Sequence, residues 1–340
     1  MRRTKISWLA GLGLLYLAGT AHAQLVAEND SYGVPFGEDL VVEAPGVLDN
    51  DTFDGEPAED AGANIDLPVI VDVAYGTLVL NSDGSFTYAP GVDFPGTDSF
   101  TYQASVGMET SQATVTISAC DTGPTVFVCW MEAPYLAKLA ELGYGTIQED
   151  FEDDVTWGDV RNPNTAVSVV SQGITWQTNH PDPPASNEIM TGGGAATGDS
   201  MWGVYDPNHG YATGTTGECD VDTPPTHCLY KDGVTGSAGA GLGMLYGAGG
   251  VFTGTHQANV VVILDGGPPI GFGKISVGVE QFFGVIDTAG FTTFRFEETD
   301  GKVGQSLNIY ADDFTFGAAP PIFSDDFETG NTSEWSATVQ

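Results

Sequence analysis

The chain has 340 residues, 41% hydrophobic and 11% aromatic, enough for packed cores and too much for general disorder. Nine Lys and Arg stand against 46 Asp and Glu, a formal net charge of -37. A field of that sign repels nucleic acid and anionic lipid, attracts divalent cations, and keeps an exported protein in solution.

Residues 1–23 read as a secretory signal peptide. Arg2, Arg3 and Lys5 precede an apolar stretch from Ile6 to Gly19, and Ala21-His22-Ala23 is a small-x-small cleavage site before Gln24. The stretch is short for a membrane span, and no later segment approaches the roughly 18 uninterrupted apolar residues that one requires. The mature chain is therefore expected to be exported, secreted or at the cell surface, with no transmembrane segment. No Cys follows the cleavage site, which argues against a lipid-modified terminus. The mature chain keeps Lys138, Arg161, Lys231, Lys274, Arg295 and Lys302 against all 46 acidic residues, a net charge of -40.

From Leu25 to Ala119 apolar and polar residues alternate. "GTLVLN" (76–81), "SFTYAP" (85–90), "DSFTYQA" (98–104) and "ATVTISA" (113–119) each read as a half-buried strand. Leu78, Leu80, Phe86, Tyr88, Phe100, Tyr102, Val115 and Ile117 form one inner face of a sandwich. Between the first two strands, Ser82-Asp83-Gly84 resembles part of a calcium loop but is better read as a turn. Gly supplies the positive φ, and Asp83 caps its own turn.

"AENDSYGV" (27–34), "APGVLDND" (44–51), "GTLVLNSDGSFTYAPGVDFPGTDSFTYQAS" (76–105) and "ATVTI" (113–117) together resemble the bacterial cadherin-like, immunoglobulin-like repeat of large surface adhesins, related to VCBS-type repeats. The resemblance implies a β-sandwich over residues 24–119, an extracellular adhesion or spacer role, and calcium at domain edges. The sequence departs from that pattern in an acidic insertion, "DGEPAEDAGANID" (54–66), and at Val106, where the repeat carries Asp before Gly. Asp30, Asp49 and Asp51, with Asp54, are candidate calcium ligands, and a solvated acidic loop is the alternative. The spacing is not that of an EF-hand, whose fifth position would fall on Phe53.

Residues 120–143 interrupt the alternation. Cys120 and Cys129, like Cys219 and Cys228, are spaced C-x8-C. In an oxidising compartment two local disulfides, Cys120–Cys129 and Cys219–Cys228, are expected among the three possible pairings. Zinc would require His at paired ligand spacing, and none has it. "APYLAKLAELG" (133–143) places Leu136, Leu139, Ala140 and Leu142 at helical offsets, with Pro134 at the start and Gly143 as a stop. The segment is read as a disulfide-tethered linker with one short helix.

Residues 144–317 read as a second, larger β-sandwich. "AVSVVSQGITWQT" (166–178), "ANVVVILD" (258–265), "ISVGVEQFFGVID" (275–287), "FTTFRFEET" (291–299) and "LNIYADDFTFG" (307–317) have strand character. "EDFED", "FFGVIDTAGFTTFRF" and "IYADDFTFG" are similar to exported bacterial jelly-roll domains of the concanavalin-like and galactose-binding-like type. In that group the first and last strands lie side by side and hold a structural calcium. Carried over, the resemblance implies Glu152 and Asp154 with Asp312 and Asp313 as ligands.

Strand alternation places Glu152 and Asp154 on one face, about 6 to 7 Å apart. Retaining glycosidases hold their carboxylates about 5.5 Å apart, but "EDFEDD" lacks the E-x-D-x-x-E of laminarinase-type hydrolases. No G-x-S-x-G, H-E-x-x-H, Walker or G-x-G-x-x-G motif is present. In "DSMWGVYDPNHGYATG" (199–214), Trp202, Tyr205, Asn208 and Tyr211 offer the flat apolar faces and hydrogen-bonding groups that a sugar ring requires, with core packing of Trp202 as the alternative. The histidines His180, His209, His227 and His256 are dispersed. Residues 318–340 are a linker, "AAPP", and a tail.

The sequence thus specifies an all-β fold: two β-sandwich domains, immunoglobulin/cadherin-like then jelly roll, joined by a short helical linker. The expected function is non-enzymatic adhesion or carbohydrate binding outside the cell, with polysaccharide or cell-surface glycan as partner, calcium as stabiliser and no nucleic acid. A secreted polysaccharide hydrolase or lyase, and a structural spacer, are the alternatives.

Overall fold

A computed structural model describes residues 24–121, 123–161, 164, 166–178, 189–191, 201–203, 233–254, 258–298 and 309–319. The signal-peptide segment, Cys219, Cys228, the four histidines and the tail lie outside the described residues. Within them the molecule is all-β, and no helix is long and apolar enough to cross a membrane.

The first sandwich faces a four-stranded sheet, in the order Asp30–Gly33, Glu109–Ser118, Thr97–Val106, Asn64–Ile65, against a three-stranded sheet of Leu40–Val42, Phe86–Pro90 and Gly76–Leu80. Period-two alternation sends Phe86, Tyr88, Phe100, Tyr102, Val115 and Ile117 inward, each at most 1% exposed. The register sets Phe100 opposite Val115 and Phe86 opposite Leu80. A slip of one residue would turn a whole strand's apolar set outward, so burial of one face fixes the pairing.

Asp83 caps its own turn, as the sequence indicates: its Oδ1 accepts from the Ser85 amide at 3.1 Å and the Ser85 hydroxyl at 2.7 Å. Gly84, at φ 85°, sits against the "APGV" segment, and the Val47 amide donates to its carbonyl at 3.1 Å. A Cβ on Gly84 would overlap the Pro45 carbonyl. Gly84→Ala is therefore expected to cost about 1–3 kcal/mol, read as a lower urea midpoint at unchanged slope.

The second sandwich pairs one sheet, in the order Val126–Cys129, Gln281–Phe291, Leu245–Gly254, Ile309–Ala318, Met201–Gly203, Ile189–Thr191, with another of Val169–Ser171, Ile174–Thr178, Gly233–Ala238, Thr293–Glu298, Ala258–Leu264 and Ile270–Ile275. Gly145–Glu149 runs antiparallel along Ile309–Ala318, so the first and last strands of residues 144–317 are neighbours, while Val126–Cys129, from the segment read as linker, adds the edge strand. The two sheets share an aromatic core in which Trp176 meets Phe151, Phe294, Phe314 and Phe316 edge-on at 5.4–5.6 Å.

The expected Cys120–Cys129 disulfide is formed. The helix spans Glu132–Glu141, and its buried stripe is Tyr135 and Leu139, four residues apart, while Ala140 faces solvent. It lies on the outer face of the larger sheet because glycines there leave a groove. A Cβ on Gly284 would stand 2.7 Å from the Tyr135 ring, and one on Gly317 2.6 Å from Leu139. The Tyr135 hydroxyl closes the contact by donating to the Thr315 carbonyl at 2.8 Å.

Candidate functional site

Two groups of carboxylates stand out, one in each sandwich. In the first, Tyr102 is phased inward by its strand and places its hydroxyl among oxygens: 2.7 Å from Val47 O, 3.4 Å from Glu28 O, and 3.1 and 3.2 Å from the two carboxylate oxygens of Asp51. A phenol has one proton to give, so most of these acceptors are left to other donors. Asp51 is 1% exposed, and its other donor is the Glu28 amide at 2.9 Å.

Asp30 joins the group from the first strand of the sheet. Its Oδ2 is buried and makes no hydrogen bond. Burial, then the charge of Asp51, then that of Asp49 push its carboxyl up to about 7, although the nearby Tyr102 and Asn50 side chains favour the ionised form. Burial also raises Asp51, against the Glu28 and Tyr102 hydrogen bonds. The sequence candidates Asp30 and Asp51 are thus brought together, with Asp49 on the exposed side, within electrostatic reach. Asp54 lies apart, accepting from the Gln24 amide at 2.9 Å.

In the second sandwich the sequence candidates separate. The strand expected to carry Glu152 and Asp154 stops at Glu149, and Phe151 turns the chain at φ 56°. Asp153 then caps a short helix, Asp154–Trp157, accepting from the Val155 amide at 3.0 Å and the Thr156 hydroxyl at 2.7 Å. Asp154 is bound by Arg161 at 2.8 Å on the surface, and Arg161 also donates to the Glu152 carbonyl at 3.2 Å.

Glu149 is the inward carboxylate here, 3% exposed. Its Oε1 accepts from the Phe151 amide at 2.9 Å and the Trp157 indole at 3.1 Å, while Oε2 is buried without a well-formed hydrogen bond. Burial pushes this carboxyl up, opposed by the nearby Ser171 hydroxyl and the two Oε1 donors. Glu149 lines a hollow of about 180 Å³ with Glu132, Asp150 and Asp313. Asp313 holds a left-handed φ of 49°, and its amide donates to the buried Asp312 at 2.8 Å. Among the described residues, no three His, Cys, Asp or Glu side chains converge closely enough to hold a metal ion.

Trp202 lies in the strand Met201–Gly203, paired with Ile189–Thr191. Its side chain, with Tyr205, Asn208 and Tyr211, lies outside the described residues.

Residues 24–119 match the model of the bacterial cadherin-like domain. No curated protein matches the chain. Solved structures similar to it include the CBM51-2 and INT domains of Clostridium perfringens ZmpB in complex with GlcNAc, at 9% identity over 87% of this chain and 48% of that one, with a TM-score of 0.24. A longer ZmpB structure with the M60 catalytic domain gives 10%, 87%, 23% and 0.24, and the secreted serine protease VesC of Vibrio cholerae 9%, 75%, 41% and 0.17. The chain spans about half the length, or less, of these solved chains, and superpositions of this quality establish no common fold.

The cadherin-like domain holds one buried carboxylate outside the candidate set. Asp98, 7% exposed, accepts from the Ala74, Tyr75 and Ser99 amides and the Tyr88 hydroxyl at 2.8–2.9 Å. Burial raises its carboxyl, but the four donors outweigh it and hold the group below the ordinary range. Here the acceptors are satisfied and the role is structural. At Asp30 and Asp51 acceptors outnumber donors.

Proposed function

We propose that the protein is an exported, non-enzymatic adhesion protein that recognises polysaccharide or cell-surface glycan, with its cadherin-like domain stabilised by calcium at Asp30 and Asp51. The observation that carries this reading is the match of residues 24–119 to the bacterial cadherin-like domain, a module fused here to a second β-sandwich. The excess of acidic over basic residues, 46 against nine, suits a calcium-rich exterior. Calcium takes six to eight oxygens, including backbone carbonyls. The Asp30 and Asp51 carboxylates beside the Val47 and Glu28 carbonyls supply oxygen donors in that chemical class, short of a complete cage.

A glycan array probed with the mature protein, with and without calcium, tests the reading. Binding to a restricted set of glycans is the expected result, and no binding to any glycan or cell envelope counts against it.

A second reading, polysaccharide cleavage, is favoured by one observation. Glu149 is a buried carboxyl with its acidity weakened, in a hollow shared with Asp150 and Asp313. Its Oε1, held by the Phe151 amide and the Trp157 indole, favours the structural role.

A further inference from the structure

The segment between the sandwiches belongs to both. Trp130 follows Cys129, and its indole donates to the Val34 carbonyl of the cadherin-like domain at 2.8 Å. Its ring lies between Phe94 and Phe36, at centroid distances of 5.8 and 5.7 Å. Phe36 belongs to the cadherin-like domain by sequence, yet its other neighbour is Phe283 of the second sandwich, at 5.5 Å. It also lies over Gly273, where an added Cβ would stand 2.9 Å from the ring. Trp130 accordingly packs against both hydrophobic cores.

Backbone ties run beside these rings. The Asp121 amide donates to Val128 O at 2.8 Å and the Trp130 amide to Ala119 O at 3.0 Å, around the Cys120–Cys129 disulfide. A Cβ on Gly96 of the cadherin-like domain would meet Pro134 of the helix at 2.6 Å. Bending at the connection must open one or more of these contacts.

We infer that Phe36, and Phe94 through Trp130, form a docking surface on the cadherin-like domain whose partner is the second sandwich of the same chain, so that the two sandwiches unfold and transmit load as one rigid body. Aromatic anchors in a fitted pocket supply most of an interface's coupling. Interfaces between domains of one chain otherwise leave relative motion as the default. The cadherin-like domain is then a fixed arm of the second sandwich, whatever ligand the latter takes.

Calorimetry and small-angle X-ray scattering on the full mature chain test this. The wild type is expected to show one cooperative transition and a narrow distribution of dimensions. Phe36→Ala is expected to split the transition in two and lengthen the maximum dimension, with far-ultraviolet circular dichroism unchanged. Trp130→Phe keeps a ring but deletes the indole donor, and should act in the same direction by a smaller amount if the alanine variant fails to fold. Two independent wild-type transitions, or a single transition and unchanged dimensions in both variants, would overturn the inference.

Discussion

Asp98→Ala is expected to lower the unfolding free energy of the cadherin-like domain by roughly 4 kcal/mol, a large share of the about 5–15 kcal/mol typical of a domain. The substitution strands three backbone amides and the Tyr88 hydroxyl, all within 2.9 Å of the carboxylate. Each orphaned buried donor costs about 1–3 kcal/mol, with partial relief from entering water. Because the native carboxyl is held below its ordinary range, its contribution is present at neutral pH and is lost as pH falls through the folded-state value. Urea unfolding of wild type and variant at pH 7 measures the difference. A change under 1 kcal/mol would mean that the amides find other acceptors.

The pH dependence at Asp30 runs the other way. Its carboxyl moves from an ordinary value of 3.8 to about 7 on folding, so the native state prefers the protonated form. The sign follows: stability from this group is complete below about pH 4, declines as pH rises, and is lost above about 7. The group is only half-buried, so solvent screening reduces the effect to about 2 kcal/mol. In chelator, wild type is expected to lose stability between pH 5 and pH 8 relative to Asp30→Asn, which carries no charge to bury. Added calcium at pH 8 should restore wild type and leave the variant unmoved. Superimposable pH profiles for the two proteins would show that Asp30 is ionised at no cost.

The strands were legible because alternation is a local property. The same phase that sends Phe100 and Tyr102 inward also sends Asp98 inward two residues earlier, so the buried carboxylate was signalled by "DSFTY" itself. Asp312 has no such signal: the register shift beside Asp313 breaks the alternation, and Asp312 pairs with Val251 under the helix while Ala311 and Phe314 face the inner core.

"EDFEDD" misled because a run of acidic residues looks alike in a strand and at a helix start. Asp153 before Val-Thr-Trp is an N-cap, and that cap ends the alternation on which the pairing of Glu152 with Asp154 relied. The meeting of Asp30, Asp51 and Tyr102 joins residues up to 72 positions apart and has no local signature. Nor does the groove for the helix, since glycines in "GAGG" read as weak strand until the Tyr135 ring is placed over them.

The proposed recognition of polysaccharide leaves the polymer intact. The most direct measurement is to incubate the mature protein with whichever polysaccharide it binds and follow both retention on the polymer and the polymer's mass. Retention with unchanged mass and no new reducing ends is the expected result. Shortened chains, with the shortening abolished by Glu149→Gln, would contradict it.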